Sequence, residues 1–242
     1  MKIEEFVSSK TLSQHFVGRK LLPTLSAVLV LGALYMVFTV VPSEKVMGPV
    51  QRIFYFHVSS AIATYAMIAA VFLGSVFFLV SKKWQWDLVS QAAAEVGFAF
   101  CTIVLVTGSI WGHSAWNTWW RWEPRLVSFL VLWLMFFSYV VLHLYSANSE
   151  KLSAFRSVLG VIIALQVPIV VFSIKLLDHA QQLHPQVMAS QGLKDGRYTT
   201  AFSLTAVALI VCSLWFCWAR LTTLVVSRRV RQYSQALQLE EK

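Results

Sequence analysis

The sequence predicts an all-α integral membrane protein with six transmembrane helices. The chain of 242 residues is 57% hydrophobic and only 13% charged, whereas a soluble domain carries about 25% charged residues. Its apolar residues also fall into six runs, each near the roughly 20 residues that a helix needs to cross a bilayer. Because backbone groups in hydrocarbon must bond internally, and the runs show little alternation, we expect helices and not barrel strands.

The six spans follow one another with short connections, and we expect a single domain over residues 1–242. The first run is longer than a signal-peptide core and is not followed by a small-x-small cleavage site, so we interpret it as a retained span. The predicted spans cover about residues 22–42, 57–80, 95–113, 126–145, 155–176 and 200–224.

Lysine and arginine predict the orientation. With the N-terminus inside, the inside segments hold 13 of these residues and the outside segments hold 7, as the positive-inside rule requires. Both termini are therefore predicted to be cytoplasmic, and residues 43–56, 111–125 and 177–199 to be external. The net charge of +9 then reflects membrane topology, and nucleic acid is not an expected partner.

The three cysteines, Cys101, Cys212 and Cys217, all lie inside apolar runs. The chain has no Cys-x-x-Cys pair, which disfavours thiol exchange and thioether attachment of a cofactor. We expect all three to act as small buried apolar residues.

A tryptophan-rich segment, Trp111–Trp122, connects the third and fourth spans and holds five of the ten tryptophans. An interfacial aromatic belt is one interpretation, but belts place one or two aromatics at each span end. Indole rings offer large faces for stacking against a flat apolar ligand. Trp116, Trp119 and Trp120 would share one face if the segment were helical, and would then form an amphipathic helix lying on the membrane.

The residues after these tryptophans suit the start of the fourth span. Pro124 fits a first helical position, and Glu123 would lie near the positive end of the helix dipole. Arg125 has two possible roles, which the sequence leaves open: binding a carboxylate of the ligand, or anchoring the helix at the lipid head groups.

Four histidines, His57, His113, His179 and His184, are predicted on the same side of the membrane as the tryptophans. Neutral imidazole is a good axial ligand for haem iron, so two of them beside an aromatic platform could hold a porphyrin. Spacing alone does not choose between the four. His15 is expected in the solvated inside tail, and His143 in a packing or interfacial role. No histidine is central in a span, which argues against a buried transmembrane electron carrier.

The tryptophan run, from Trp111-Gly through Trp119-Trp120-x-Trp122-Glu123-x-Arg125-Leu126, resembles the signature of the haem-handling protein family. More closely, roughly residues 20–225 resemble the cytochrome c maturation protein C, or haem exporter protein C, family. The stretches Arg52–Val58 and Val167–Ile169, the latter followed by Leu183–Gln186, resemble those that carry the family's two external histidines. One departure is Glu123, since the family usually has Asp there.

This resemblance implies a haem-binding delivery protein, and not an enzyme, in the bacterial inner membrane with its site facing the periplasm. Haem b, bound non-covalently, would be passed to a haem chaperone for cytochrome c maturation, and ABC-type transporter subunits and a small single-span membrane subunit would be companions. His57 and His184 would be the axial ligands. The remaining site residues would be Trp111, Trp116, Trp119, Trp120, Trp122, Glu123 and Arg125.

Two other functions remain open from the sequence. A transporter for haem or another solute would need polar groups within its spans, and Glu95 and Gln166 are the few candidates. A structural or assembly subunit would use the tryptophans to dock a protein partner, because aromatic residues are enriched at interfaces.

Overall fold

The computed structural model describes residues 17–44, 47–145, 150–173 and 196–240, and these residues form six long helices with no strand among them. The helices are α1 (Leu22–Tyr35), α2 (Arg52–Ser81), α3 (Trp84–Trp116), α4 (Pro124–Tyr145), α5 (Glu150–Phe172) and α6 (Gly196–Glu240). Wider π turns at Val17–Leu21 and Met36–Val40 extend α1 at both ends, and a 3-10 turn at Pro49–Gln51 leads into α2.

All six helices are long and apolar enough to cross a membrane, which confirms the predicted number of spans. Counted with its two π turns, α1 covers Val17–Val40, and each helix is then longer than its predicted span. The sixth span shows the largest difference, since α6 continues to Glu240 and does not end near residue 224. The third span differs next most, since α3 begins at Trp84 and not near residue 95. The α3 helix includes Asp87 in its first turn, where the carboxylate is buried and paired with Arg156.

The helices form a bundle around α2, which packs against α3, α5 and α6. In addition, α4 packs between α3 and α5, and α1 packs against α6. The main core lies between α2, α3 and α4, where Met67, Phe136 and Leu132 have almost no exposed surface. Outward-facing apolar residues on every helix remain exposed, as expected where lipid replaces water.

Small residues allow α2 to approach its neighbours closely. A Cβ atom added at Gly160 of α5 would overlap the Ser75 hydroxyl of α2, and one added at Gly74 would lie 3.0 Å from the backbone nitrogen of Ser90 in α3. Helix pairs in membranes depend on such close contacts, because lipid tails are as apolar as the side chains and give little hydrophobic driving force.

A buried polar network lies at the end of the bundle where α3 and α5 begin. Arg156 donates to both carboxylate oxygens of Asp87, at 3.2 and 2.9 Å, and Gln91 and Ser153 also donate to that carboxylate. Asp87 and Arg156 are 3% and 1% exposed. A buried charge without its partner would lower the free energy of unfolding. The bond between Asp87 and Arg156 therefore holds α3 and α5 together.

The polar residues considered for transport are also bonded within the bundle. Glu95, in the interior of α3, accepts two hydrogen bonds from Arg220 of α6 at 2.6 and 3.0 Å. Gln166 of α5 donates to the Ser128 carbonyl of α4 at 3.1 Å. These contacts join helices to one another and give no specific support to transport.

Candidate functional site

An open cavity lies at the opposite end of the bundle from the Asp87 network. It is formed where α2 begins, where α3 ends and where α4 begins, and its volume is about 200 Å³ with a wide mouth. Ligand pockets usually measure roughly 300–1,000 Å³, so a large organic molecule would occupy the open mouth as well as the cavity. The predicted site residues that line it are His57, Trp111, Trp116, Trp119, Trp120, Glu123 and Arg125.

His57 lies near the start of α2 and contacts α3 at the wall of the cavity. Its Nδ1 atom is 3.1 Å from the Thr107 hydroxyl oxygen, and its ring centroid is 6.3 Å from that of Trp111. Gly108 lies directly beside the imidazole, since a Cβ atom there would be 3.0 Å from Cε1 of His57. Residues on one face of α3 therefore hold the imidazole in place at the wall of the cavity.

The tryptophan segment is helical only as far as Trp116. Asn117 adopts a left-handed conformation with φ of 53°, and its backbone N–H donates to the His113 carbonyl at 2.9 Å, which ends α3. Asparagine tolerates this conformation better than most residues. The predicted amphipathic helix lying on the membrane is therefore wrong: Trp116 ends α3, whereas Trp119 and Trp120 follow in an irregular connection.

The indole rings of this segment form the wall and rim of the cavity. Trp111 is buried and lies 5.3 Å from Trp116, centroid to centroid, at 57°. Trp120 also lines the cavity, and its buried indole N–H has no hydrogen-bond acceptor among the described residues. Trp122 contacts Trp120 edge-on but is 78% exposed and does not line the cavity. Trp111, Trp116 and Trp120 thus line the cavity, whereas Trp122 lies outside it.

Charged groups lie at the start of α4. Pro124 is its first residue, as predicted, and the Glu123 carbonyl accepts the Val127 N–H at 2.9 Å. The Glu123 side chain is buried and lies 3.6 Å from Arg121. The Arg125 guanidinium has no hydrogen bond or ion pair to any side chain in the described ranges, although it lines the cavity. A guanidinium in this position can pair with an anionic group of a ligand.

The other histidines are placed differently. His113 stacks on Trp119 with ring centroids 4.1 Å apart, and it does not line the cavity. His143 lies away from it on α4, with Nε2 3.9 Å from a Glu95 oxygen. Three further histidines, His15, His179 and His184, lie outside the described residues.

Sequence reasoning did not single out the residues that surround His57. Thr107, Gly108 and Tyr65 all line the cavity or contact the imidazole. One signal was present: Thr107 and Gly108 lie four and three residues before Trp111, so the three share a face of α3. The pairing of that face with His57 is a long-range contact that local spacing does not reveal.

The cavity suits a large, flat, mostly apolar molecule that carries a carboxylate and a metal ion able to bind imidazole. Indole faces pack against planar apolar groups, guanidinium pairs with carboxylate, and neutral imidazole binds iron. Haem has these three properties. The residues present therefore fit haem, on the evidence of the uncommitted guanidinium and the imidazole at the cavity wall.

Comparison with known proteins gives a family. The family model described as Heme exporter protein C matches residues 5–236. Proteins named Heme exporter protein C are similar over parts of the chain: 36% identity over 101 residues in Paracoccus denitrificans, 26% over 190 in Bradyrhizobium diazoefficiens and 34% over 140 in Escherichia coli. These alignments cover 42%, 78% and 57% of this chain, and 42%, 72% and 56% of those relatives.

Proposed function

Because the chain belongs to the Heme exporter protein C family, we propose that it binds haem b non-covalently in the cavity and delivers it to a haem chaperone for cytochrome c maturation. The family is one of membrane components that handle haem and are not catalytic enzymes. The observation that carries the proposal is the meeting of His57, Arg125 and the tryptophan rings at one cavity.

In this proposal the protein acts by positioning its cargo. Haem supplies an iron that accepts an imidazole nitrogen and two propionates that accept hydrogen bonds. His57 binds the iron through Nε2, because Nδ1 faces Thr107, and Arg125 pairs with a propionate. Trp111 and Trp116 pack against the porphyrin and exclude water. Fixing the cargo in one orientation lowers the entropic cost of its later reaction with the chaperone.

The second axial ligand in this proposal is His184. It rests on the resemblance of Leu183–Gln186 to the family's second histidine stretch, and it lies outside the described residues. Two imidazoles would hold the iron in six-coordinate, low-spin form, whereas one imidazole leaves a position for another ligand. Spectroscopy separates these two states.

The proposal also extends to location and partners. The site would face the periplasm from the bacterial inner membrane, which agrees with the lysine and arginine distribution. The haem chaperone, ABC-type transporter subunits and a small single-span membrane subunit would be the partners. Trp122, in the irregular connection beside the cavity, is 78% exposed among the described residues.

The experiment is to purify the protein in detergent and record its haem content and absorption spectrum. We expect wild-type protein to carry haem, and His57→Ala and His184→Ala each to lower the haem content and shift the Soret band. His113→Ala is the matched control, because His113 lies on the same segment outside the cavity lining. Protein that binds no haem, alone or after addition of hemin, would contradict the function. Unchanged spectra in both ligand variants would contradict the ligand assignment.

A further inference from the structure

The structure places a threonine hydroxyl behind the imidazole of His57. The Thr107 hydroxyl oxygen lies 2.6 Å from the Ile103 carbonyl, 3.3 Å from the Val104 carbonyl and 3.1 Å from Nδ1 of His57. A hydroxyl has one proton to donate and lone pairs to accept. A carbonyl can only accept, so the single proton of Thr107 is directed at the nearer carbonyl, Ile103.

This arrangement determines which nitrogen of His57 carries the proton. Since the Thr107 proton is already donated within α3, only a lone pair faces His57. We therefore assign Nδ1 as the protonated nitrogen and the donor, which leaves the lone pair of the neutral ring on Nε2. The backbone carbonyl of Val104 is a further acceptor for an imidazole N–H of His57. Histidines that bind metals commonly donate their other N–H to such a partner, which fixes the tautomer and the ring orientation and makes the ligating nitrogen more basic.

The ring is also held sterically on the same side. Gly108 follows Thr107 and lies against the edge of the imidazole, where a Cβ atom would be 3.0 Å from Cε1 but 4.0 Å from Nε2. The glycine thus lets the ring come close enough for the Thr107 bond. Thr107 and Gly108 together fix the tautomer, distance and orientation of His57.

We infer that Thr107 is a positioning residue for the axial ligand, which holds His57 with Nδ1 protonated and Nε2 available to the iron of bound haem. This inference rests on the proposed function, since it concerns the same cavity. It adds a residue outside the tryptophan segment and outside the histidine stretches, and it assigns that residue an electronic role as well as a steric one.

The test compares Thr107→Val, which removes the oxygen but keeps the branched shape, with Thr107→Ser, which keeps the oxygen. We expect Thr107→Val to lower hemin affinity by roughly 10–100-fold, the usual effect of losing such a partner. We also expect a higher reduction potential, because a less basic imidazole stabilises ferric iron less. Thr107→Ser should restore both values to near those of the wild type.

Thr102→Val is the matched control. Thr102 lies on the same helix and makes the same kind of bond to a carbonyl four residues earlier, Phe98, but its oxygen accepts from the Trp133 indole, away from the cavity. We expect Thr102→Val to leave the hemin affinity and the reduction potential unchanged. A similar fall in both threonine variants would indicate general loosening of α3 and would overturn the inference.

The remaining outcomes distinguish this inference from the proposed function. If His57→Ala loses the axial ligand while Thr107→Val keeps wild-type affinity and potential, the role of Thr107 is wrong and the proposed function stands. If the wild type does not bind hemin, the proposed function is wrong and this inference is wrong with it. If Thr107→Val and Thr107→Ser are equally impaired, the hydroxyl oxygen is not the active feature, and the inference is again wrong.

Discussion

The imidazole of His113 stacks on the indole of Trp119, with ring centroids 4.1 Å apart and planes inclined by 24°. This contact gives His113 a structural role beside the cavity. We expect His113→Phe, which keeps the stacking, to retain the wild-type haem content and absorption spectrum. We expect His113→Ala to keep the same spectral type with at most a modest loss of haem, because only the support of Trp119 is removed. A spectrum that changes its coordination type in both variants would instead make His113 a ligand.

Adding one methyl group beside His57 provides a second test. We expect Gly108→Ala to lower hemin affinity by about tenfold or more, because the new Cβ atom would lie 3.0 Å from Cε1 of His57 and must displace the ring. Gly32→Ala is the matched control, since its nearest neighbour outside α1 is a Leu204 methyl group at 3.8 Å. It should leave hemin binding unchanged and stabilise α1 by up to about 1 kcal/mol. Equal hemin affinities in the two variants would contradict the close approach at His57.

The uncommitted charge of Arg125 predicts a dependence on ligand carboxylates. We expect Arg125→Gln to weaken hemin binding by roughly 10–100-fold, the value of a charge-assisted hydrogen bond of about 1.5–3 kcal/mol. Arg125→Lys should recover part of the loss, since it keeps the charge but not the planar fork. Titration of purified protein with hemin measures the effect.

Haem dimethyl ester, which lacks the propionate charges, is the control ligand for Arg125. The wild type should bind the ester more weakly than hemin, and Arg125→Gln should bind both alike. An Arg125→Gln variant that loses affinity for hemin and for the ester to the same extent would show that Arg125 acts through helix anchoring. This comparison therefore decides between the two roles that the sequence leaves open for Arg125.

The buried Asp87–Arg156 pair predicts a large and strongly coupled effect on stability. We expect Arg156→Met to lower the free energy of unfolding by about 3–5 kcal/mol, because it leaves the carboxylate of Asp87 buried without its cation. The double variant Asp87→Leu/Arg156→Met should recover most of this loss. Circular dichroism during titration with a denaturing detergent measures both values. Arg121→Gln should cost less than Arg156→Met, because the Arg121 side chain is 47% exposed and lies 3.6 Å from the Glu123 carboxylate, so water screens the pair on the arginine side. Additive losses in the double variant would contradict the coupling.

The sequence predicts the number of helices, because hydropathy is summed over whole runs and single polar residues change it little. It misplaces the start of α3, because the compensation of Asp87 by Arg156 occurs across 69 residues. Pro124 marks the start of α4 from local rules alone. In contrast, the end of α3 depends on the left-handed conformation of Asn117. Helical spacing therefore predicts a wrong arrangement for Trp119 and Trp120, which follow that residue.

The residues of the candidate site also fall into two groups: those that local sequence patterns indicate, and those that only helix packing brings together. The tryptophans are recognisable by their density, and Arg125 follows from its place at a helix start. Thr107 and Gly108 are ordinary residues within an apolar run, and only the approach of α2 to α3 brings them to His57. Local spacing cannot show which faces of two helices meet, so these residues come from the structure.

The Asp87–Arg156 bond also has a consequence for biosynthesis. Asp87 is synthesised 69 residues before its cation, so the nascent third span enters the insertion machinery before the charge that compensates its carboxylate exists. Asp87 lies in the first turn of α3, so its insertion costs less than the about 2.5–3.5 kcal/mol of an Asp at a helix centre. The third and fifth spans can therefore adopt their final packing against each other only after Arg156 has been synthesised.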